Sequence, residues 1–406
     1  MNERKYRAAF FLCGFAAFIN LYSTQGILRE LALAFDVSAE HAGQGVSATT
    51  LAVAIIAPFV GLLAAPFERR KAIACAALAS ALPALWSAHT ASFGAFLAAR
   101  FAAGLLMPFV FALSITFIGE RYGREGATEV GALFVAGTTL GGFAGRFITN
   151  GLTAMLGWRH ALDFDALLCL VTGCAIYACL PGSPAGALAS ASTSASTEKT
   201  SAARAPWRNV LRAPLLASFG VGACVLASQV ATFTFIGLRL TRAPFAFSTV
   251  GIGAIYAVFL VAVVVTPISG RIARHRGPRD LALAAVALGI VGSLFTLSGN
   301  VIAILVGLAL GSTAVFVEQA SANAFISQRA ASARSTAIGI YLSCYYLGGS
   351  LGSVLPVPMW HRWGWAGCVA FVIGAQALVG ALVHAFWREG RRMPDAPRTS
   401  APRATR

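Results

Sequence analysis

The stretch Leu140-Gly141-Gly142-Phe143-Ala144-Gly145, with Gly157-Trp158 after it, returns 207 residues later as Leu347-Gly348-Gly349-Ser350-Leu351-Gly352, with Gly364-Trp365 after it. Gly104 and Gly311 keep the same offset upstream. In a chain of 406 residues, a fixed offset of about half the length predicts two copies of one unit. Those copies consist almost wholly of long apolar segments. Hydrophobic residues make up 57% of the chain and charged residues 11%, with a mean hydropathy of +0.73. A soluble chain carries roughly 25% charged residues, and one of this composition would expose aggregating apolar patches. The lipid bilayer is the expected solvent.

A spanning helix needs roughly 20 apolar residues. Twelve segments fit: 8–34, 44–65, 71–88, 93–118, 128–150, 160–180, 212–238, 247–270, 280–298, 301–325, 334–356 and 366–387. Short connections make neighbours antiparallel. The exception is 181–211, where Pro181-Gly182-Ser183-Pro184 opens an Ala/Ser/Thr-rich tract ending in basic residues. The expected organisation is therefore a six-helix half over 1–180, a linker over 181–211, a second half over 212–390 and a disordered Pro/Arg-rich tail over 391–406. A doubled bundle of spans can rock one half against the other around a central site, the mechanical requirement for alternating-access transport.

The formal net charge of +16 invites a nucleic-acid reading, so the placement of the basic residues decides. Arg4, Lys5, Arg7, Arg69, Arg70, Lys71, Arg121, Arg124, Arg271, Arg279, Arg329 and Arg391 all fall on one side of the expected membrane. The other side has Arg159, Arg239, Arg242 and Arg362, while Arg29, Arg100 and Arg146 fall inside spans. This is the positive-inside pattern, which predicts cytoplasmic termini and no nucleic-acid partner. The opening apolar run is too long for a signal peptide and is read as the retained first span. Eight cysteines are scattered without C-x-x-C spacing, so neither a disulfide framework nor a metal site is expected. No metalloprotease, Walker or nucleophile-elbow motif occurs, and no cofactor or enzymatic activity is expected.

Six plus six spans about a mid-chain linker resemble the major facilitator superfamily. Asn20-Leu21-Tyr22-Ser23-Thr24-Gln25 is similar to a signature of bacterial drug:proton antiporters of the acriflavine-sensitivity type. Arg100 followed by Gly104 resembles the family's R-x-x-x-G motif, and Gly137, Gly141 and Gly145 resemble its glycine-rich antiporter motif. The resemblance implies an all-α integral membrane fold of two pseudo-symmetric halves, in the bacterial inner membrane. It also implies that the first, fourth, seventh and tenth helices line a central cavity. The loop from Gly61 departs from the family pattern, with Ala65 where the gate-latching Asp is expected and Arg274 at the matching place in the second half. Glu68 is the candidate substitute, beside Arg69 and Arg70.

Of 15 carboxylates only Glu318 lies well inside a span. A charge at mid-membrane costs roughly 2.5–3.5 kcal/mol on insertion scales, so it is kept when paired, wetted or functional. Three readings are open: a proton-coupling acid, with proton and substrate competing for the inward and outward states, a carboxyl permanently bonded to Asn323, Gln319 or a facing helix, and an attractor of cationic substrate. The resemblance associates Arg100 with proton transfer; the alternative is a structural cation on loop carbonyls, and Asp36, Asp163 and Asp165 are its reachable acids. Arg146 either attracts an anion or snorkels to the outer headgroups, and snorkelling is expected. Gly137, Gly141, Gly145, Gly348 and Gly352 are read as the sliding seam between halves. Expected substrate contacts are Asn20, Tyr22, Gln25, Met107, Phe109, Gln229, Phe233, Phe235, Gln319, Tyr341 and Tyr345, with amides to orient a polar handle and aromatics or Met to hold an apolar body.

The expected function is proton-coupled efflux of small amphipathic or cationic compounds by a monomer; a proton-coupled carrier of a sugar, amino acid or organic acid is the alternative. A membrane-embedded enzyme would need clustered reactive residues that the sequence does not offer.

Overall fold

The computed structural model describes residues 2–182, 210–261, 264–265, 268, 272, 276–330 and 334–387. Most of the expected linker, the expected tail and Arg274 lie outside the described residues. The described chain is helical: α1 (Asn2–Ile19), α2 (Ala39–Leu63), α3 (Arg69–His89), α4 (Phe93–Tyr122), α5 (Glu129–Leu156), α6 (Trp158–Cys179), α7 (Ala213–Leu240), α8 (Thr249–Leu260), α9 (Pro278–Phe295), α10 (Val301–Arg329), α11 (Arg334–Gly352) and α12 (Val357–Phe386). Among the described residues, nine of these are long and apolar enough to cross a membrane. Outside that nine fall α1, which carries Glu3, Arg4, Lys5 and Arg7, the short α8, and the Ser-, Tyr- and Gly-rich α11. The bundle's outer surface is apolar, with Leu82 69% and Ile302 72% exposed, as lipid requires.

Two boundaries differ from the sequence reading. The first span is not one helix from 8 to 34. It stops at Ile19, passes through a 3₁₀ turn at Ser23–Gly26 and resumes as Leu28–Phe35. The cause is Arg100, whose Nη2 donates to the backbone carbonyls of Asn20 and Leu21, diverting them from helical hydrogen bonding. The expected loop between the fourth and fifth spans is also missing, because the chain stays helical from Phe93 to Leu156. A straight helix of those 64 residues would be about 96 Å long. The chain nevertheless reverses direction. Phe117 packs on Phe10 and Phe111 on Phe18, antiparallel to α1, whereas Gly137, Gly141 and Gly145 follow Phe11, Phe15 and Ile19 in parallel.

These glycines correct a further expectation. A Cβ on Gly141 would meet the Phe15 carbonyl at 2.4 Å, and one on Gly352 the Ala227 carbonyl at 2.4 Å. Gly145 and Gly348 press as closely on Ile19 and Ala223. The stripes therefore zip α5 to α1 and α11 to α7 within each half; they are not the seam between halves. Gly104 plays the same part for α4 on α2, against the Thr49 carbonyl. Gly61, also expected to pack, faces open space. Gly157 and Gly364 both take positive φ, 89° and 57°, at matching corners of the two copies.

The halves meet chiefly where α11 lies on α2 and α8 on α5. Ser47 donates to the Ser350 carbonyl at 2.8 Å and also bonds Ser353. More cross-half contacts cluster at the end away from the termini. Gln25 donates to Thr234 (3.1 Å), Thr249 to Glu30 (2.6 Å) and the Trp360 indole to Glu40 (2.7 Å), with Arg242 3.8 Å from Glu40. That end is closed. At the terminus-bearing end, Arg69 pairs with Glu120 at 3.4 Å, Arg70 donates to the Tyr177 carbonyl, and Glu68 pairs with Lys71 at 3.3 Å.

Candidate functional site

The break in α1 turns side chains that a continuous helix would carry round its circumference toward the bundle axis. Tyr22 and Gln25 there join residues of α4, α5, α7, α8, α10 and α11 around a central cavity of about 360 Å³. This lies within the roughly 300–1,000 Å³ typical of small-molecule sites. Its wall is mostly aromatic and aliphatic, with amides from Gln25, Gln229, Gln319 and Asn323 and hydroxyls from Thr138 and Thr139.

Of the expected substrate contacts, Tyr22, Gln25, Gln229, Phe233, Gln319 and Tyr345 border the cavity. The other five lie elsewhere. Asn20 accepts from Arg100, while Met107 and the partly buried Phe109 belong to the core below the break. Phe235 packs on Trp360 with ring centroids 5.5 Å apart, and Tyr341 fills the space over Gly222. The wall owes much to helices outside the expected set. Phe134 and Arg146 come from α5, Phe259 from α8, and Ile338 and Tyr346 from α11.

Arg146 does not snorkel to headgroups. It is 6% exposed, and its guanidinium sits 4.4 Å from the Tyr22 ring centroid, 5.0 Å from Tyr256 and 4.9 Å from Phe259. Its Nε donates to Gln25 Oε1 at 3.0 Å and its Nη1 to the Gly142 carbonyl at 2.6 Å. The rings come from both halves, so closing them over the guanidinium also draws the halves together. Burial among rings and acceptors wins over the reach to headgroups because the side chain points into the bundle, away from lipid.

Arg100 is fully buried and donates to Asn20 Oδ1 (2.6 Å), the Asn20 carbonyl (2.6 Å) and the Leu21 carbonyl (3.1 Å). Among the acids within reach by sequence, Asp165 is buried and interacts with Arg100 electrostatically, held by Thr149 at 3.0 Å. Asp163 instead pairs with His89, and Asp36 is exposed. This arrangement makes Arg100 a clamp on the α1 break that carries Tyr22 and Gln25.

Glu318 is fully buried but does not border the central cavity, although its neighbour Gln319 does. Its carboxyl is therefore separated from the chamber in this conformation. Its Oε2 accepts from Gln376 Nε2 of α12 at 3.4 Å, while Glu318 Oε1 and Gln376 Oε1 have no hydrogen-bond partner. Gln376 also lines a second cavity of about 20 Å³ among α7, α9, α10 and α12, with Ser228, Thr232 and Ser312. That is room for one water-sized species. Gln229 borders both cavities. No cluster of three or more His, Cys, Asp or Glu residues able to hold a metal occurs among the described residues.

A doubled helical bundle around a central cavity defines a carrier of small molecules across a membrane. The chain belongs to the Major Facilitator Superfamily: its residues 10–353 match that family's model. It is a multi-pass membrane secondary transporter of this type and not an enzyme. It is 28% identical to the inner membrane transport protein YnfM of Escherichia coli, over 93% of this chain and 89% of that one. It is 28% identical to a chloramphenicol resistance protein of Streptomyces lividans, over 82% and 86% of the two chains. Among solved structures it resembles the human organic anion transporter MFSD10 (TM-score 0.67, 20% identity, 94% and 100% covered) and a D-xylose-proton symporter (0.70, 14%, 93% and 97%).

Proposed function

We propose that the protein is a proton-coupled carrier that exports small amphipathic organic molecules across the bacterial inner membrane by alternating access. The observation that carries this reading is the aromatic, amide-studded cavity between the halves, closed at one end by cross-half hydrogen bonds. A carrier needs such a chamber with one gate shut at a time. Positive charge flanking the terminus-bearing end supports cytoplasmic termini, so the closed end faces outward. Efflux is supported by the kinship to a chloramphenicol resistance protein, and the inner membrane by the kinship to YnfM. The structural relatives are titled for an organic anion and for D-xylose with protons, so this fold carries cargoes of several classes and the cavity lining must choose. A metabolite carrier remains the second reading, favoured by the amides and threonines of the wall.

Glu318 is the proposed proton carrier. As a carboxylate it accepts from the Gln376 amide; once protonated it can donate to Gln376 Oε1, which requires that amide to rotate. Gln376 borders the 20 Å³ cavity that Gln229 also lines, so a change in its hydrogen bonding reaches a residue of the substrate chamber. Proton and cargo are then coupled through Gln376 and Gln229 without meeting. Arg100 takes no proton in this scheme and acts by positioning the α1 break. The test is efflux and uptake of a compound panel in proteoliposomes with and without a pH gradient. The expected result is gradient-driven accumulation by the wild type. Glu318→Gln should abolish that accumulation while passive exchange continues. Undiminished proton-driven accumulation by Glu318→Gln would remove Glu318 from the scheme, and no transported compound would end the reading.

A further inference from the structure

The substrate chamber has a sign. Among the described residues that line it, Arg146 is the one that carries a charge, and no carboxylate pairs with it in the structure. Glu318 is outside the chamber and already accepts from Gln376. A buried guanidinium without a counter-ion is costly to keep at mid-membrane. Part of that cost is offset in place. Gln25 and the Gly142 carbonyl accept two hydrogen bonds, and the Tyr22, Tyr256 and Phe259 rings lie within 4.4–5.0 Å of the charge. Cation–π contacts stabilise the charge in place and leave the net charge unchanged. Arg146 Nη2 has no hydrogen-bond partner among the described residues and is not among the buried unpartnered atoms, so it remains open to the chamber.

We infer that Arg146 is the recognition group for a monoanionic cargo, an amphipathic organic acid whose carboxylate, sulfonate or similar head accepts from Nη2 while its apolar body lies among Phe111, Phe134, Phe233 and Phe316. This rests on the transport reading above and names its substrate class. A single unpaired guanidinium matches one negative charge, and a second would be left desolvated among aromatic rings. Cationic cargo is opposed by the same fixed charge at short range in a low-dielectric wall. The cavity of about 360 Å³ holds a head group and a drug-sized apolar body together. The ring cage adds a consequence for the cycle. Tyr22 belongs to one half, and Tyr256 and Phe259 to the other, so an anion drawing on the guanidinium acts at a cross-half contact.

The test compares three probes of one shape, 4-phenylbutyrate, 4-phenylbutanol and 4-phenylbutylamine. Binding to the full-length purified protein is measured by thermal stabilisation and by titration calorimetry. The wild type should bind the acid tightest and the amine weakest. Arg146→Gln should weaken acid binding about ten- to a hundredfold, the loss of one hydrogen bond to a charged group, while the alcohol changes little and the amine improves. Arg146→Lys should retain the preference for acid over amine. Amine binding to the wild type as tight as the acid's, no binding of the acid, or acid binding unchanged by Arg146→Gln would each overturn the inference. Should the Gln variant not fold, the wild-type order of the three probes still decides. Counterflow of the same probes in proteoliposomes separates the two claims: an Arg146-dependent acid that binds but is not carried refutes the transport reading and leaves the anion site standing.

Discussion

Replacing Arg100 by Met distinguishes a structural clamp from a proton relay. The substitution removes the Arg100 donors from the Asn20 side-chain oxygen and from the Asn20 and Leu21 carbonyls, at 2.6, 2.6 and 3.1 Å; the Asn20 carbonyl keeps the Ser23 hydroxyl, so two acceptors are orphaned. A buried acceptor left unpaired costs about 1–3 kcal/mol, so the two together cost about 4 kcal/mol. Removing a guanidinium from mid-membrane offsets about 3 kcal/mol of this, but also leaves the buried Asp165 without its cation. The net loss is then at least about 1 kcal/mol, and part of it is recovered if residues 20–27 rewind into helix, which frees those carbonyls to accept along the chain. Rewinding rotates Tyr22 and Gln25 out of the cavity. Arg100→Met should therefore lower the unfolding temperature of the solubilised protein and raise the transport KM together. Adding Asn20→Ala to Arg100→Met removes one of the two orphaned acceptors, so the double variant should lose about 1–2 kcal/mol less than the sum of the singles. An Arg100→Met protein with wild-type stability and KM that has lost only its response to a pH gradient would refute this reasoning and make Arg100 a proton group.

Gly145→Ala drives a Cβ into the Ile19 carbonyl, so it should destabilise by about 1–3 kcal/mol in thermal unfolding. Gly61→Ala, which meets nothing within 4 Å, should be silent in the same assay. Glu40→Gln removes the charge shared by Trp360 and Arg242, and combined with Thr249→Ala it should loosen the closed end. Alkylation of a cysteine placed at Thr234, in a background without other accessible cysteines, should then speed up from the side away from the termini, and an unchanged rate would show that this cluster is not a latch.

The fold was legible because duplication and membrane-length apolar runs both survive in plain sequence, and the glycines mark where backbones touch. Which backbones they touch was not legible. In lipid a helix is apolar on both its packed and its exposed faces, so hydrophobic periodicity no longer says where a side chain points. That is why Tyr22 and Phe233 reach the cavity as expected while Met107, Phe109 and Phe235 turn into the core. Arg146 was visible as a charge inside a span, but its ring cage joins residues as distant in sequence as Tyr22 and Phe259. One signal was available: Arg146 sits one residue beyond the glycine stripe, and a close-packed stripe keeps its neighbours near a second helix and away from lipid.

The internal repeat also shows where the two copies have parted. Within the stretch that keeps its register, Gly141 and Gly145 correspond to Gly348 and Gly352, and all four press on a backbone carbonyl of the first helix of their own half. The scaffold is thus held in common. Arg146 corresponds to Ser353, which bonds Ser47 across the seam, and Glu318 corresponds to Phe111, whose ring lies tilted against Tyr346 in the chamber wall. Each charged group of interest faces an uncharged counterpart in the other copy. A symmetric pair of arginines would double the burial cost and bind a dianion; a symmetric pair of acids would repel across the axis. Divergence at these positions gives one half the group that meets cargo and the other the carboxyl proposed to meet the proton. Coupling between them then has to pass through the contact of the halves, which is the part of the molecule that alternating access moves.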